Sequence, residues 1–272
     1  MGRPRPRPRG RAPGPRGAPR ASGERRALNA PLLSVVIPAF NEGRRLPPTL
    51  EKIQRYLEGR PHEIIVVDDG SRDDTVARAA AAGVTVLSNE GNRGKGYSVR
   101  RGMLQARGAR RLMTDADLST PIEDLARLMA KMDEGYDVVI ASRALPESNV
   151  EIRQPWYREN SGRLFNFCVR LLALPGLQDT QCGFKLFRAE AAEKAFAPSR
   201  LDGFSFDVEA LFIARRHGCR IAEVPVTWRN DEATRVGTLK GAIAFADLAR
   251  IRWNDWRGAY DGPATASADS AL

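Results

Sequence analysis

EIIVVDDGSRDDT, residues 63–75, carries four β-branched apolar residues in a row, Ile64 to Val67, that stop at two adjacent acids, Asp68 and Asp69. Glycine, serine and more aspartate follow. A continuous apolar run closed by turn residues reads as a strand buried on both faces, with the polar set as its exit loop into a helix. The form recurs on both sides. LSVVIPAFNE (33–42) runs into Pro38, Asn41 and Glu42, LMTDADLSTP (112–121) into Asp115 and Asp117, and DVVIASR (137–143) into Ser142 and Arg143. Strands are predicted at Leu33–Ile37, Glu63–Val67, Val84–Leu87, Arg111–Thr114 and Asp137–Ala141. Helices are predicted at Arg45–Leu57, Asp73–Ala82, Lys95–Ala106 and Pro121–Met132, with Pro121 in a first helical turn capped by Ser119 or Thr120. Alternation of this kind marks an α/β fold with a mostly parallel central sheet.

In such sheets ligands bind beyond the carboxyl ends of the strands, where four of these five strands carry unusual polar sets. Carboxylates gathered there repel unless a cation or hydrogen bonds relieve them. If the extended conformation continues past Thr114, Asp115 and Asp117 face one side and offer two hard oxygen ligands that suit Mg²⁺ or Mn²⁺, with a diphosphate filling further positions. Asp68 and Asp69 suit a turn plus helix cap, or hydrogen bonds to a nucleobase or ribose, and Glu42 suits the ribose. NRGKG (92–96) lacks both the Gly-x-x-x-x-Gly-Lys-Ser/Thr and the Gly-x-Gly-x-x-Gly spacing, which argues against a phosphate-loop NTPase and a dinucleotide-binding fold. Its glycine-opened helix start can still hold an anion through free N–H groups and Lys95. A nucleotidyltransferase is disfavoured because no basic glycine-rich loop follows the first strand.

The second half is less regular. A helix is predicted at Tyr157–Leu174, a strand at Phe184–Phe187, a helix at Phe206–His217 and a strand at Ile221–Trp228. Beyond Gly237 the segment Thr238–Trp256 sets apolar residues beside Lys240, Arg250, Arg252, Trp253 and Trp256, a pattern that suits a membrane interface or packing on the chain's own domain. Asp207 and Glu209 suit capping and orienting rather than reaction. His62 and His217 have no partner motif.

The chain has 272 residues, 42% hydrophobic and 28% charged, enough for one substantial core. Its net charge of +10 is concentrated at one end: residues 1–26 hold nine arginines and one glutamate, so eight of the ten charges lie there. That composition predicts disorder over 1–30, either as a solvated extension or as an anchor for anionic lipid, with nucleic acid a distant alternative. It has no apolar stretch of a secretory signal, and no run of 18 apolar residues suits a bilayer span. Cys168, Cys182 and Cys219 are too few and too irregularly spaced for a disulfide framework or a metal cluster, which fits a reducing cytosol.

The collinear series LSVVIPAFNE, IIVVDDGSRDDT, NRGKGYSVRRGM (92–103) and LMTDADLSTP resembles the family-2 inverting glycosyltransferases of GT-A fold. DTQCGFKLF (179–187), FSFDVEALFIA (204–214) and IAEVPVTW (221–228) are similar to the dolichyl-phosphate and polyprenyl-phosphate glucosyltransferase group within them. The resemblance implies a three-layer GT-A sandwich over 31–236, followed by a basic amphipathic helix at 237–260 and a disordered 261–272. It implies transfer of a hexose, glucose from UDP-glucose, to a polyprenyl or dolichyl phosphate by a peripheral enzyme at the cytoplasmic, inner face of a membrane. A soluble phosphorylated acceptor or cell-wall polysaccharide is the alternative. On this resemblance Pro38, Glu42, Asp68, Asp69, Lys95, Asp115 and Gln181 bind the donor, Asp115 and Asp117 hold Mg²⁺ or Mn²⁺, and Asp117, Arg143 and Arg163 serve the transfer, the arginines at the acceptor phosphate. Asp179 would join Gln181 along the sugar pocket, Gly183 would permit close backbone approach, and Cys182 suits burial.

Overall fold

A computed structural model describes residues 31–150, 165–229 and 239–261. Segments 1–30 and 262–272, Arg163 and the first half of the helix predicted at Tyr157–Leu174 lie outside the described residues.

The first half alternates as its periodicity predicts: β1 (Leu33–Ala39), α1 (Leu46–Tyr56), β2 (His62–Asp68), α2 (Thr75–Ala81), β3 (Thr85–Ser88), α3 (Lys95–Gln105), β4 (Arg110–Thr114), α4 (Leu125–Asp133) and β5 (Val138–Ser142). After a short strand β6 (Asn149–Val150) come helix α5 (165–172), β7 (Phe184–Arg188), α6 (Ala189–Phe196), α7 (Phe206–Arg216), β8 (Ile221–Pro225), β9 (Thr227–Trp228) and α8 (Leu239–Trp256). Seven strands form the main sheet in the order β3-β2-β1-β4-β7-β5-β8. Every pairing is parallel except those of β7, which runs antiparallel to both β4 and β5.

Strand alternation sends successive side chains to opposite faces, and both faces are covered, which explains why these strands are apolar throughout. One face packs Val35, Ile37, Ile64, Val66 and Val139 against Leu46, Leu50 and Ile53 of α1 and Leu125 and Leu128 of α4. The other packs Val36, Val67, Met113 and Ile140 against Val99 and Met103 of α3, with α5, α6, α7 and α8 behind. The result is a three-layer sandwich. Removing one such fully buried leucine to alanine costs about 2–5 kcal/mol.

Three local predictions need correction. Pro121 stands before the helix rather than in its first turn: its ψ of 144° is extended, and a 3₁₀ turn, Ile122–Asp124, precedes α4 without a side-chain cap. The strand predicted over Ile221–Trp228 is two strands. β8 pairs with β5 as far as Pro225, whereas β9 leaves the sheet to pair with β6. The helix α6 goes unpredicted, although Ala and Glu are strong helix formers and Ala191, Ala192, Ala195 and Phe196 pack inward.

Candidate active site

Ala39, Asp68 and Ser88 pair across β1, β2 and β3, so these carboxyl ends finish level and their exit loops meet. Pro38, which has no N–H for a ladder, lies past the last β1–β4 pair, Val36 with Met113. The loop after β1 is stitched to the loop after β2. The N–H groups of Asn41, Glu42 and Gly43 donate to Ser71 Oγ (2.8 Å), Thr75 Oγ1 (2.9 Å) and Asp73 Oδ2 (3.0 Å), and Asn41 Oδ1 accepts from Arg72 N. The Glu42 carboxylate faces Arg45 at 3.3 Å.

Asp68 and Asp69 are buried, and protein donors relieve both. Asp68 accepts from the N–H groups of Gly70 and Ser71 at 3.2 Å. Asp69 accepts from Asn89 Nδ2, Arg93 N and Gly94 N, each at 2.9 Å. A carboxylate has about four lone-pair directions, so Asp69 keeps roughly one for a ligand. Its first duty is to fold the 89–94 loop against the start of α3.

The anion-binding helix start predicted at Gly94–Gly96 is corrected by the same contacts. The N–H groups of Arg93 and Gly94 belong to Asp69, and those of Gly96 and Tyr97 donate to Asp202 O at 2.8 and 3.3 Å. Gly94 adopts φ 103°, and a Cβ there would stand 2.3 Å from Asp202 O, so no other residue fits. What this corner offers an anion is the Lys95 ammonium.

Lys95 Nζ reaches Asp115 Oδ1 at 2.7 Å. Burial works against its charge, but Asp115, Asp207 and Asp117 outweigh that and raise its pKa above the lysine norm. The route by which Asp115 and Asp117 come together differs from prediction. Extended structure ends at Thr114, and a turn closed by Leu118 N donating to Asp115 O (3.2 Å) follows, with Leu118 at φ 48°. Ala116 points into the core while its carbonyl accepts from Thr49 Oγ1 at 2.7 Å. Asp117 accepts from Ser119 N at 3.0 Å, yet burial and the charge of Asp115 push its pKa up. This is a pair of acids left in mutual repulsion.

The insertion of β7 supplies the other wall. Its register sets Thr114 opposite Phe184, so Gly183 is the next residue beside Asp115. A Cβ on Gly183 would lie 2.1 Å from Asp115 Oδ2. The close approach predicted for Gly183 is therefore to this carboxylate. Two crowded hard-oxygen donors, one lodged in the room that Gly183 leaves, fit Mg²⁺ or Mn²⁺; among the described residues no group of three metal-ligating side chains converges, so a diphosphate would complete the coordination.

At the end of β5, Arg143 is clamped by Asp179. Backbone N, Nε and one terminal nitrogen donate to its two oxygens at 3.0, 2.6 and 2.8 Å, and the guanidinium lies over Trp228 at 5.3 Å. Burial alone would raise the Asp179 pKa, but Arg143 overrides it and holds the carboxyl below the usual value. Asp179 is thus the anchor of Arg143 rather than a lining of the sugar pocket, a role that no local signal carries because the partners are 36 residues apart. The remaining guanidinium N–H groups are directed by this clamp. Gln181, half-buried, donates its N–H to Asp179 at 3.2 Å. Cys182 is buried, its thiol pushed up to about 11 by that burial.

Asp207 and Glu209 do orient rather than cap. Asp207 pairs with Lys185, which is buried in β7, and Glu209 accepts from Arg200 N, Leu201 N and Tyr260 Oη. His62 and His217 meet the main-chain carbonyls of Arg60 and Tyr260.

Residues 34–196 match the model of the family described as Glycosyl transferase family 2. The chain is 36% identical over 249 residues to dolichyl-phosphate beta-glucosyltransferase of Homo sapiens, covering 84% of this chain and 77% of that protein. It is 34% identical over 241 residues to the protein of the same name from Dictyostelium discoideum, covering 81% and 74%. Among solved structures, glucosyl-3-phosphoglycerate synthase from Mycobacterium tuberculosis with Mn²⁺, UDP and phosphoglyceric acid superposes with a TM-score of 0.66 at 21% identity, covering 84% of this chain and 80% of that one. That likeness is one of fold.

Proposed function

Because the chain belongs to glycosyl transferase family 2, we propose that it transfers glucose from UDP-glucose, with inversion, to the phosphate of a polyprenyl or dolichyl phosphate. It is a glycosyltransferase of GT-A fold. The observation that carries the acceptor reading is the Arg143–Asp179 clamp beside the crowded pair Asp115 and Asp117, one element suited to each of two phosphate groups; the shared name of the relatives supplies the substrates.

In this reading Pro38, Glu42, Asp68, Asp69 and Gln181 line the nucleoside and sugar, with Asp69 using its remaining acceptor direction. Asp115 and Asp117 would hold Mg²⁺ or Mn²⁺, which when bound supplies Lewis-acid stabilisation of charge on the departing diphosphate. Lys95 moves from Asp115 towards that diphosphate, neutralising it and freeing the carboxylate. Arg143, fixed by Asp179, presents its free N–H groups to the acceptor phosphate, with Arg163 as a second contact. A phosphate monoester has its second pKa near 6 and is mostly ionised at neutral pH, so positioning outweighs proton removal. Arg143 keeps the nucleophilic oxygen in line with the anomeric carbon. The enzyme would work peripherally at the inner, cytoplasmic membrane face, with 31–236 as catalytic domain and 237–260 as membrane-facing helix.

The test is turnover by the purified chain of UDP-glucose, UDP-galactose, UDP-N-acetylglucosamine and GDP-mannose with polyprenyl phosphate, phosphoglycerate or polysaccharide, each with Mg²⁺ or Mn²⁺. The expected product is glucosyl phosphoprenol from UDP-glucose. Activity with soluble acceptors alone overturns the lipid reading.

A further inference from the structure

Helix α8 is apolar on two sides, and among the described residues the core covers only one of them. Leu248 and Ile251 are buried in the core, and the helix is pinned there by Arg216 to Asp255 and by Tyr260 Oη, just beyond its end, donating to Glu209 at 2.7 Å. On the exposed side Phe245, Ala249, Trp253 and Trp256 follow one another at steps of four, four and three residues, a second stripe at helical spacing. Trp253 is 55% and Trp256 76% exposed, with ring centroids 5.1 Å apart. The Phe245 ring meets Phe165 of α5 edge-on at 5.4 Å, so α5 lies alongside and extends the face with Phe167 and Leu171, the latter 70% exposed. Arginines are interleaved. Arg257 lies 6.0 Å from the Trp253 ring, and Arg170 and Arg250 are exposed with no carboxylate partner among the described residues.

We infer that this two-helix face is the surface by which the enzyme lies on an anionic lipid bilayer, an inference that deepens the proposed function and rests on its placing the enzyme peripherally at a membrane. Tryptophan places an apolar ring with a polar N–H where hydrocarbon meets water, and arginine keeps its stem in the apolar layer and its charge at the headgroups. Anionic headgroups complement the interleaved arginines. A second copy of the chain does not: a two-fold contact would set this face against itself, arginine against arginine, whereas the cores of protein interfaces are depleted of charge. Because α8 is pinned to the domain, contact through this face also fixes how the domain stands on the membrane.

Sedimentation of the full chain with vesicles of phosphatidylcholine, with and without phosphatidylglycerol and free of polyprenyl phosphate, tests the surface separately from the acceptor. The parent should bind the phosphatidylglycerol vesicles with a blue shift of tryptophan emission. Trp253→Ser/Trp256→Ser should weaken binding roughly tenfold or more and abolish most of the shift, while turnover of a short, water-soluble prenyl phosphate and the unfolding midpoint stay unchanged. Arg250→Gln/Arg257→Gln should weaken binding only where phosphatidylglycerol is present. The inference fails if the parent does not bind these vesicles, if the tryptophan variant binds as the parent does, or if that variant merely turns a dimer into a monomer. Inactivity on prenyl phosphate with vesicle binding intact would sink the acceptor reading and leave this surface standing.

Discussion

Asp68 and Asp69 at the end of β2 and Asp115 and Asp117 at the end of β4 look alike in sequence, and the structure treats them in opposite ways. The first pair is surrounded by donors: five N–H groups of neighbouring loops converge on it, and its charge organises backbone. Among the described residues the second pair has one lysine, on Asp115, and only Ser119, through its amide and hydroxyl, on Asp117, and burial together with the charge of Asp115 raises the pKa of Asp117. Acids with their hydrogen bonds complete stabilise a fold. Acids left to repel each other hold a place for something positive, and the cost of that repulsion is borne by the folded protein until a ligand arrives.

The comparison breaks most visibly at the second pair. Asp117→Asn should cut kcat by about 10²–10³ while leaving the thermal midpoint equal or higher, because the change removes repulsion; a loss of stability comparable to the loss of activity would erase the distinction. Arg143→Lys should lower kcat/KM for the phosphate acceptor roughly 10- to 100-fold, since an ammonium cannot reproduce the bidentate fork to Asp179 and still point donors outward. UDP binding, followed by titration calorimetry, should stay unchanged in that variant. At the other pair, Asp69→Asn should act on stability first. It sets an amide NH2 against the N–H of either Arg93 or Gly94, which bond different oxygens of Asp69, and should cost about 1–3 kcal/mol in chemical unfolding, with weaker donor binding following from the loosened loop.

The smallest effect is one of pH. The folded pKa of Asp179 lies below its unfolded value of 3.8, so the group contributes stability that is present above that value and lost as pH falls through the lower folded value. The stability difference between the parent and Asp179→Asn should therefore be flat from neutral pH to about pH 5 and should shrink below about pH 4. A difference independent of pH would mean that Asp179 acts by packing rather than charge.

Much of this site was legible beforehand, and the boundary of legibility is physical. The polar sets at the strand ends stand out because apolar runs of β-branched residues stop abruptly at them, a signal contained within about ten residues. The same local pattern marks Lys95 at a helix start. It does not say which acids are satisfied. The five donors to Asp68 and Asp69 include three from residues 89–94, brought in by the turn of the chain after β3, and nothing in IIVVDDGSRDDT records them. Asn89, buried between Asp69 and Ser98, carries no local signal of its role for that reason.

By itself the sequence determined the strand and helix alternation of the first half, the sheet edge at which the polar strand ends gather, and the residue types at each strand end, because burial on both faces leaves an imprint at every position of a strand. Only the tertiary structure decided that β7 runs antiparallel between β4 and β5. That one insertion brings Gly183 to Asp115, and the segment leading into β7 carries Asp179 to Arg143. Whether a carboxylate becomes an anchor, an organiser of loops or one of two acids in repulsion depends on the charges and donors that folding carries to it from tens of residues away.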